Sequence, residues 1–283
     1  MKTSFRGCVI GHPIGHSLSP FLHQRLFALQ GRTAEYGLQD IAPEALPEQL
    51  PRLLREQDGL NVTIPHKQAV IPYLTRLSGR AQRYRSVNTI AVTPDGAVGY
   101  NTDADGFLSA LRDGGVPLKG RVVLLGCGGV GRTFACEAAL AGCTLVNAVR
   151  EQDLPFAEEL RAFVTSLVPK AEYTIVRMDE VDGDVDLLIN ATPVGMYLHT
   201  DALPVPEAVL SRTAAVFDAV YNPRVTRLLE RAAACGAKTV GGMPMLVWQA
   251  VAAHAIWYDA VFSDETVRGV IEEALAYMEA HFR

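Results

Sequence analysis

The chain has 283 residues, 49% hydrophobic and 20% charged, with a formal net charge of −5 and an isoelectric point near 5.8. That is room for two globular domains, and the negative balance gives no electrostatic attraction for nucleic acid or an anionic membrane. No stretch approaches the ~18 apolar residues of a membrane span, no signal-like run opens the chain, and the 5 cysteines form no C-x-x-C pair, so a cytoplasmic protein with reduced thiols is expected.

In chain order, residues 8–10 predict a short buried strand, followed by GHPIGHSLSP. His12 and His16 are close in sequence, but Pro13 and Gly15 between them oppose a helix and no third ligand is visible. No metal site is therefore expected. Ser19 and Pro20 make an N-cap and N1 pair for an apolar helix that Gly31 closes. Capping accounts for Ser19 and leaves Ser17 over; both hydroxyls sit near a helix N-terminus, a place suited to a carboxylate. Residues 36–41 predict a second strand and 47–57 an amphipathic surface helix. In GLNVTIPHK, residues 60–64 read as strand, and Pro65 is expected to start a helix with Lys67 in its first turn. A cation there opposes the helix dipole, which sets a functional reading of Lys67 against the commoner surface lysine. Residues 86–92 and 97–101, joined by T-P-D-G, predict a hairpin. Asp103 comes next in NTDADGF, where it either caps a helix over 104–112 or serves chemistry.

Residues 121–142, RVVLLGCGGVGRTFACEAALAG, organise the rest. Val122 to Leu125 read as a parallel strand buried on both faces. Gly126, Gly128 and Gly131 then fit G-x-G-x-x-G, with Cys127, Gly129 and Val130 in the same loop, ahead of an alanine-rich helical run. Strand, glycine turn and helix in that order predict a dinucleotide site. The first glycine permits the turn, the second admits a pyrophosphate, and the third lets helix pack on strand. Strands over 144–149, 173–176, 185–190, 215–220 and 238–240, with helices over 156–168 and 224–235, continue the alternation. Helices over 245–259 and 263–282 end the chain, and Gln249 lies among apolar neighbours in the first of them. A buried glutamine needs partners, here a ligand hydroxyl or loop backbone.

HSLSP, NVTIPHK, SVNT and GYNTD before the glycine loop, with INATPVGM (189–196), DAVYNPRVT (218–226) and GGMPMLVWQA (241–250) after it, resemble the shikimate dehydrogenase family. Order and spacing match over almost the whole chain. The resemblance implies an α/β protein: a Rossmann-type doubly wound parallel sheet domain over 104–244, and a discontinuous α/β substrate-binding domain over 1–103 and 245–283. It also implies reversible reduction of 3-dehydroshikimate to shikimate with a nicotinamide cofactor, in chorismate and aromatic amino acid biosynthesis; a monomer or homodimer is expected. Carried over by motif, Lys67 and Asp103 form the catalytic pair, and Ser17 and Ser19 bind the ring carboxylate. Thr63, Asn88, Tyr221 and Gln249 contact the carboxylate or the hydroxyls, and Gly242 lies near the nicotinamide.

Cofactor cues conflict at the end of the second strand of the cofactor domain. NADP-dependent relatives carry Asn-Arg-Thr or Asn-Arg-Ser there, whereas this chain has Val149, Arg150 and Glu151. Arg150 suits a 2′-phosphate. Glu151, about 20 residues past the loop, stands where an acid accepts from a free ribose hydroxyl, and Asp153 adds a second negative charge. NADP is expected, with NAD as the alternative. Ala219 replaces a methionine frequent in relatives. A quinate or quinate/shikimate dehydrogenase is the nearest other enzyme, opposed by the presence of both Ser17 and Ser19. A noncatalytic dinucleotide-binding regulator leaves the retained polar set unexplained.

Overall fold

The computed structural model describes residues 4–15 and 17–282, so His16 of the HSLSP motif lies outside the described residues. The chain divides into two units, residues 1–106 with 247–283, and residues 107–246.

The first unit opens with β1 (Ser4–Gly11), α1 (Ser19–Leu29), β2 (Thr33–Asp40), α2 (Leu46–Glu56) and β3 (Gly59–Val62). It continues through β4 (Arg76–Leu77), α3 (Gly79–Tyr84), β5 (Thr89–Thr93) and β6 (Gly96–Tyr100) to α4 (Asp103–Asp113). The six strands lie in the order β2-β1-β3-β5-β6-β4. β1 runs parallel to β2 and β3, while β3–β5 and β5–β6 are antiparallel. Position in the sheet explains the burial: central β3 is buried at every residue, and edge β2 buries only Tyr36. The amphipathic α2 covers one face, with Leu46, Leu50 and Leu53 packed among Ile10, Leu60 and Val62. Each such leucine contributes about 1.5–3 kcal/mol by leaving water.

The second unit holds β7 (Arg121–Leu125), α5 (Gly129–Leu140), β8 (Thr144–Val149), α6 (Leu154–Leu167) and β9 (Tyr173–Arg177). Then come β10 (Leu187–Asn190), α7 (Glu207–Leu210), β11 (Ala215–Asp218), α8 (Arg227–Ala234) and β12 (Lys238–Val240). All pairings are parallel, in the order β12-β11-β10-β7-β8-β9. From β7 the chain builds outward through β8 and β9, then returns to build the other way through β10, β11 and β12. This is the doubly wound order, with its switch point between β7 and β10. Parallel strands covered on both faces must be aliphatic throughout, which accounts for VVLL in β7 and LLI in β10. Helices α9 (Gly242–Tyr258) and α10 (Asp264–His281) complete the chain. No helix among the described residues is long and apolar enough to cross a membrane.

Three local expectations are corrected. Pro65 does not start an α-helix: after β3 the chain runs through turns over 64–70 into a single 3-10 turn, Ile71–Tyr73. Ser19 is not the cap of α1 but its first residue, and Ser17 Oγ accepts from the Ser19 N–H at 3.2 Å. Asp103 likewise opens α4 instead of capping it; Asn101 Oδ1 accepts from the Ala104 N–H at 3.3 Å, leaving the Asp103 carboxylate available.

Candidate active site

One polar cluster in the first unit gathers residues from four segments. The Val87 N–H donates to the Lys67 carbonyl at 2.8 Å, which anchors the turn carrying Lys67 beside the entrance to β5. Asn88 sits where β3, β5 and β6 meet, donating its N–H to the Tyr100 carbonyl and accepting from the Val62 N–H. With the backbone so held, Lys67 Nζ donates to Asp103 Oδ2 at 2.7 Å. Asn88 Nδ2 donates to Asp103 Oδ1 at 3.0 Å and to Thr102 Oγ1 at 2.9 Å, and lies 3.4 Å from Gln249 Oε1. Asn88 Oδ1 in turn accepts from the Thr102 N–H at 2.7 Å. The side chains of Lys67 and Asp103 are only 13% and 8% exposed. A pair so shielded interacts more strongly than in water, yet its desolvation cost makes it a weak source of stability. Its orientation, a donor and an acceptor fixed side by side, is the chemically useful property.

The structure thus brings Lys67, Asn88, Asp103 and Gln249 together. Ser17, Ser19 and Thr63 form a second group at the carboxyl end of β1: Ser17 N donates to Ile14 O and Thr63 N to Ile10 O. Among the described residues no hydrogen bond joins these three to the lysine cluster. The loop from β1 to α1 that carries Ser17 is braced by His12 Nδ1, 2.6 Å from Asp40 Oδ1, and this bond holds the Asp40 carboxyl below its ordinary range.

In the second unit the glycine loop succeeds β7. Gly126 has φ +90°, a conformation that favours glycine. Gly128 caps α5 without a side-chain bond, and a Cβ at Gly128 or Gly129 would meet no atom of the described residues within 4 Å. A Cβ at Gly131 would lie 3.3 Å from the Gly126 carbonyl oxygen, so helix packs closely on strand. Open approach, unclaimed N–H groups and a helix N-terminus fit the pyrophosphate of a dinucleotide. Burial, then the Asp153 carboxylate, hold the Cys127 thiol above its ordinary value, which makes it a poor nucleophile. Arg150 Nε donates to Asp153 Oδ2 at 2.7 Å, and exposed Glu151 begins the 3-10 turn Glu151–Asp153. Tyr221, half-buried, lies just past β11. Gly242 has a packing reason of its own, since a Cβ there would collide with the Ala219 carbonyl.

Sequence reasoning missed the residues that hold these strand ends. Asn147 in β8 donates to the Gly126 and Leu124 carbonyls at 2.9 and 3.0 Å. Asp218, wholly buried, accepts from Asn190 Nδ2, the Val220 N–H and Thr226 Oγ1. Burial pushes its carboxyl up to about 6, against the pull of those three donors. The available signal was a polar residue inside or ending an otherwise aliphatic strand, TLVNAV, LLIN and AVFD. Thr226 both caps α8, accepting from the Leu229 N–H, and donates to Asp218 at 2.6 Å. Thr226→Val is expected to lower the unfolding free energy by about 2 kcal/mol and Thr226→Ser to restore most of it, as read from urea midpoints.

The family described as shikimate dehydrogenase substrate binding domain matches residues 9–90. A relative named shikimate dehydrogenase (NADP(+)), from Thermus thermophilus, is 39% identical over 254 residues, covering 89% of this chain and 92% of its own. The chain belongs to the shikimate dehydrogenase family. Among solved structures of the family, shikimate 5-dehydrogenase from Thermus thermophilus in complex with NADP(H) and shikimate matches with a TM-score of 0.82 at 35% identity, over 96% of this chain and all (100%) of that one. Quinate dehydrogenase from Corynebacterium glutamicum in complex with NAD matches with a TM-score of 0.85 at 30% identity, over 95% of this chain and 99% of that one. A shikimate dehydrogenase and a quinate dehydrogenase therefore share the fold found here.

Proposed function

We propose that this chain is an NADP-dependent shikimate dehydrogenase interconverting 3-dehydroshikimate and shikimate. The observation that carries the reading is the shielded Lys67–Asp103 pair, 2.7 Å apart, set among amide and hydroxyl side chains. The bound nicotinamide cofactor supplies the hydride. Negative charge builds on the substrate carbonyl oxygen, and the Lys67 ammonium hydrogen-bonds that oxygen and passes it a proton. Asp103 fixes the amine and accepts from a neighbouring substrate hydroxyl. A polyol needs several such polar contacts to be distinguished from its analogues. Asn88, Gln249, Thr63 and Tyr221 fill that role here, with Ser17 and Ser19 on the ring carboxylate. The loop over 126–131 would hold the pyrophosphate of the cofactor, Arg150 and Glu151 its adenosine ribose, and Gly242 would leave room for the nicotinamide. Residues 1–103 with 245–283 serve the substrate and 104–244 the cofactor, in a cytoplasmic monomer or homodimer.

Quinate oxidation with NAD is a second reading, favoured by Glu151 and by the likeness to the Corynebacterium enzyme. Initial rates for shikimate and quinate, each with NADP⁺ and NAD⁺, separate the two. Shikimate with NADP⁺ is expected to be fastest. A faster quinate–NAD⁺ pair replaces the first reading with the second, and cofactor binding without turnover in any pair leaves a dinucleotide-binding regulator.

A further inference from the structure

Strands β8 and β9 end in the same way. Val149 and Arg177 are register partners across the parallel pair, and Arg150 is the residue after Val149. Each arginine is the extended residue before one 3-10 turn, Glu151–Asp153 after Arg150 and Met178–Glu180 after Arg177. Each is also tied to the carboxylate at i+3. Arg150 Nε lies 2.7 Å from Asp153 Oδ2, and Arg177 Nη2 lies 3.0 Å from Glu180 Oε1, with Asp179 Oδ1 3.4 Å from Arg177 Nε. The two arginines line a single pocket with Val149, Glu151, Met178 and Asp179. The Arg177 side chain remains 46% exposed.

This pocket lies beyond the carboxyl ends of β8 and β9, the end of the parallel sheet that also carries the glycine loop after β7. In such sheets the group about 20 residues past the loop meets the adenosine ribose. A phosphomonoester on that ribose presents three acceptor oxygens and close to two negative charges. Each arginine is partly neutralised by its own carboxylates, so either one alone matches the phosphate poorly, while two forked guanidinium groups supply enough donors. Val149 and Glu151 lack the donors that Asn and Thr would offer beside Arg150. The neighbouring strand makes up the difference. The carboxylates at i+3 fix each fork in place, and Glu151 in the same pocket opposes a phosphate and accepts from a free hydroxyl.

We infer that Arg177 is a specificity-determining residue, forming with Arg150 a two-guanidinium seat for a phosphate on the 2′ oxygen of the adenosine ribose. The inference rests on the nicotinamide-cofactor reading above. It is tested with the full chain by calorimetric titration of adenosine 2′,5′-bisphosphate and of 5′-AMP into the wild type, Arg177→Gln, Arg177→Lys and Glu151→Gln. Arg177→Gln is expected to weaken bisphosphate binding about 10- to 100-fold, the size of a lost charge-assisted bond, and to leave 5′-AMP unchanged. Arg177→Lys falls between, and Glu151→Gln tightens the bisphosphate alone. An unchanged ratio of the two affinities in the Arg177 variants overturns the inference, as does an equal loss for both ligands. Should Arg177→Gln fail to fold, Arg177→Lys decides by the same ratio. Failure of the enzymatic reading looks different: the wild type turns over neither shikimate nor quinate, while its affinity ratio still depends on Arg177.

Discussion

Lys67→Ala is expected to lower kcat for shikimate oxidation by about 10²- to 10⁴-fold, roughly 3–5 kcal/mol of transition-state stabilisation. The loss falls on kcat because the ammonium meets most charge when the substrate oxygen passes between hydroxyl and ketone. KM moves less, since Asn88, Gln249 and the serines remain. Asp103 keeps its bond from Asn88 Nδ2 at 3.0 Å, so the carboxylate stays oriented, but it loses its only ion pair among the described residues. An unpaired, shielded carboxylate destabilises the fold. Thermal melts must therefore accompany the kinetics, and Lys67→Met supplies a variant that fills the same space. Turnover within tenfold of the wild type in either folded variant removes Lys67 from the chemistry.

How much of this site was legible depended on how local its cause was. The glycine loop could be read because strand, turn and helix impose three different constraints on one short stretch. Lys67 and Asp103 were legible as motif members, but they are 36 positions apart, and only the antiparallel passage through β5 and β6 brings them together. Pro65 misled because proline at N1 and proline in a turn share the same backbone angle. The residues after it decide between the two, and here they form a chain of turns. The cap readings of Ser19 and Asp103 missed by two residues: Ser17 and Asn101 take the backbone N–H groups, and that frees Asp103 for Lys67. Two-residue β4 and six-residue α3 carry too little periodicity to be seen. Arg177 was invisible for a different reason. Its partner Arg150 stands on another strand, and only the parallel register of β8 and β9 makes them neighbours.

Acidification is expected to destabilise the chain through a buried histidine pair, by about 2 kcal/mol per histidine between neutral pH and pH 5. His23 Nδ1 lies 3.1 Å from His254 Nε2, both rings are wholly buried, and their outer nitrogens have no partner among the described residues. Tyr36 stacks on His23, and Phe27 packs against His254. Burial, reinforced by His254, holds His23 well below its ordinary value; burial, reinforced by Arg32, lowers His254 to about 3. Well above pH 6.5, the ordinary histidine value, neither state carries the protons and the pair has no pH dependence. Below it the unfolded chain takes up protons that the folded chain refuses, so stability falls until the folded values are reached. Asp218 works in the opposite sense. Its carboxyl, raised to about 6, protonates first in the folded state, so acid relieves a burial cost that is fully present above that pH. The absolute slope of stability against pH is therefore a difference of two effects, and a wild-type curve alone does not isolate the histidines. The discriminating measurement is the change in slope between the wild type and His254→Gln, from urea unfolding at pH 7, 6 and 5. Glutamine can still bond to His23 but does not titrate, so it should remove about half of the histidine contribution and leave that of Asp218 in place. Parallel curves for the two proteins would mean that the pair is not what acid attacks.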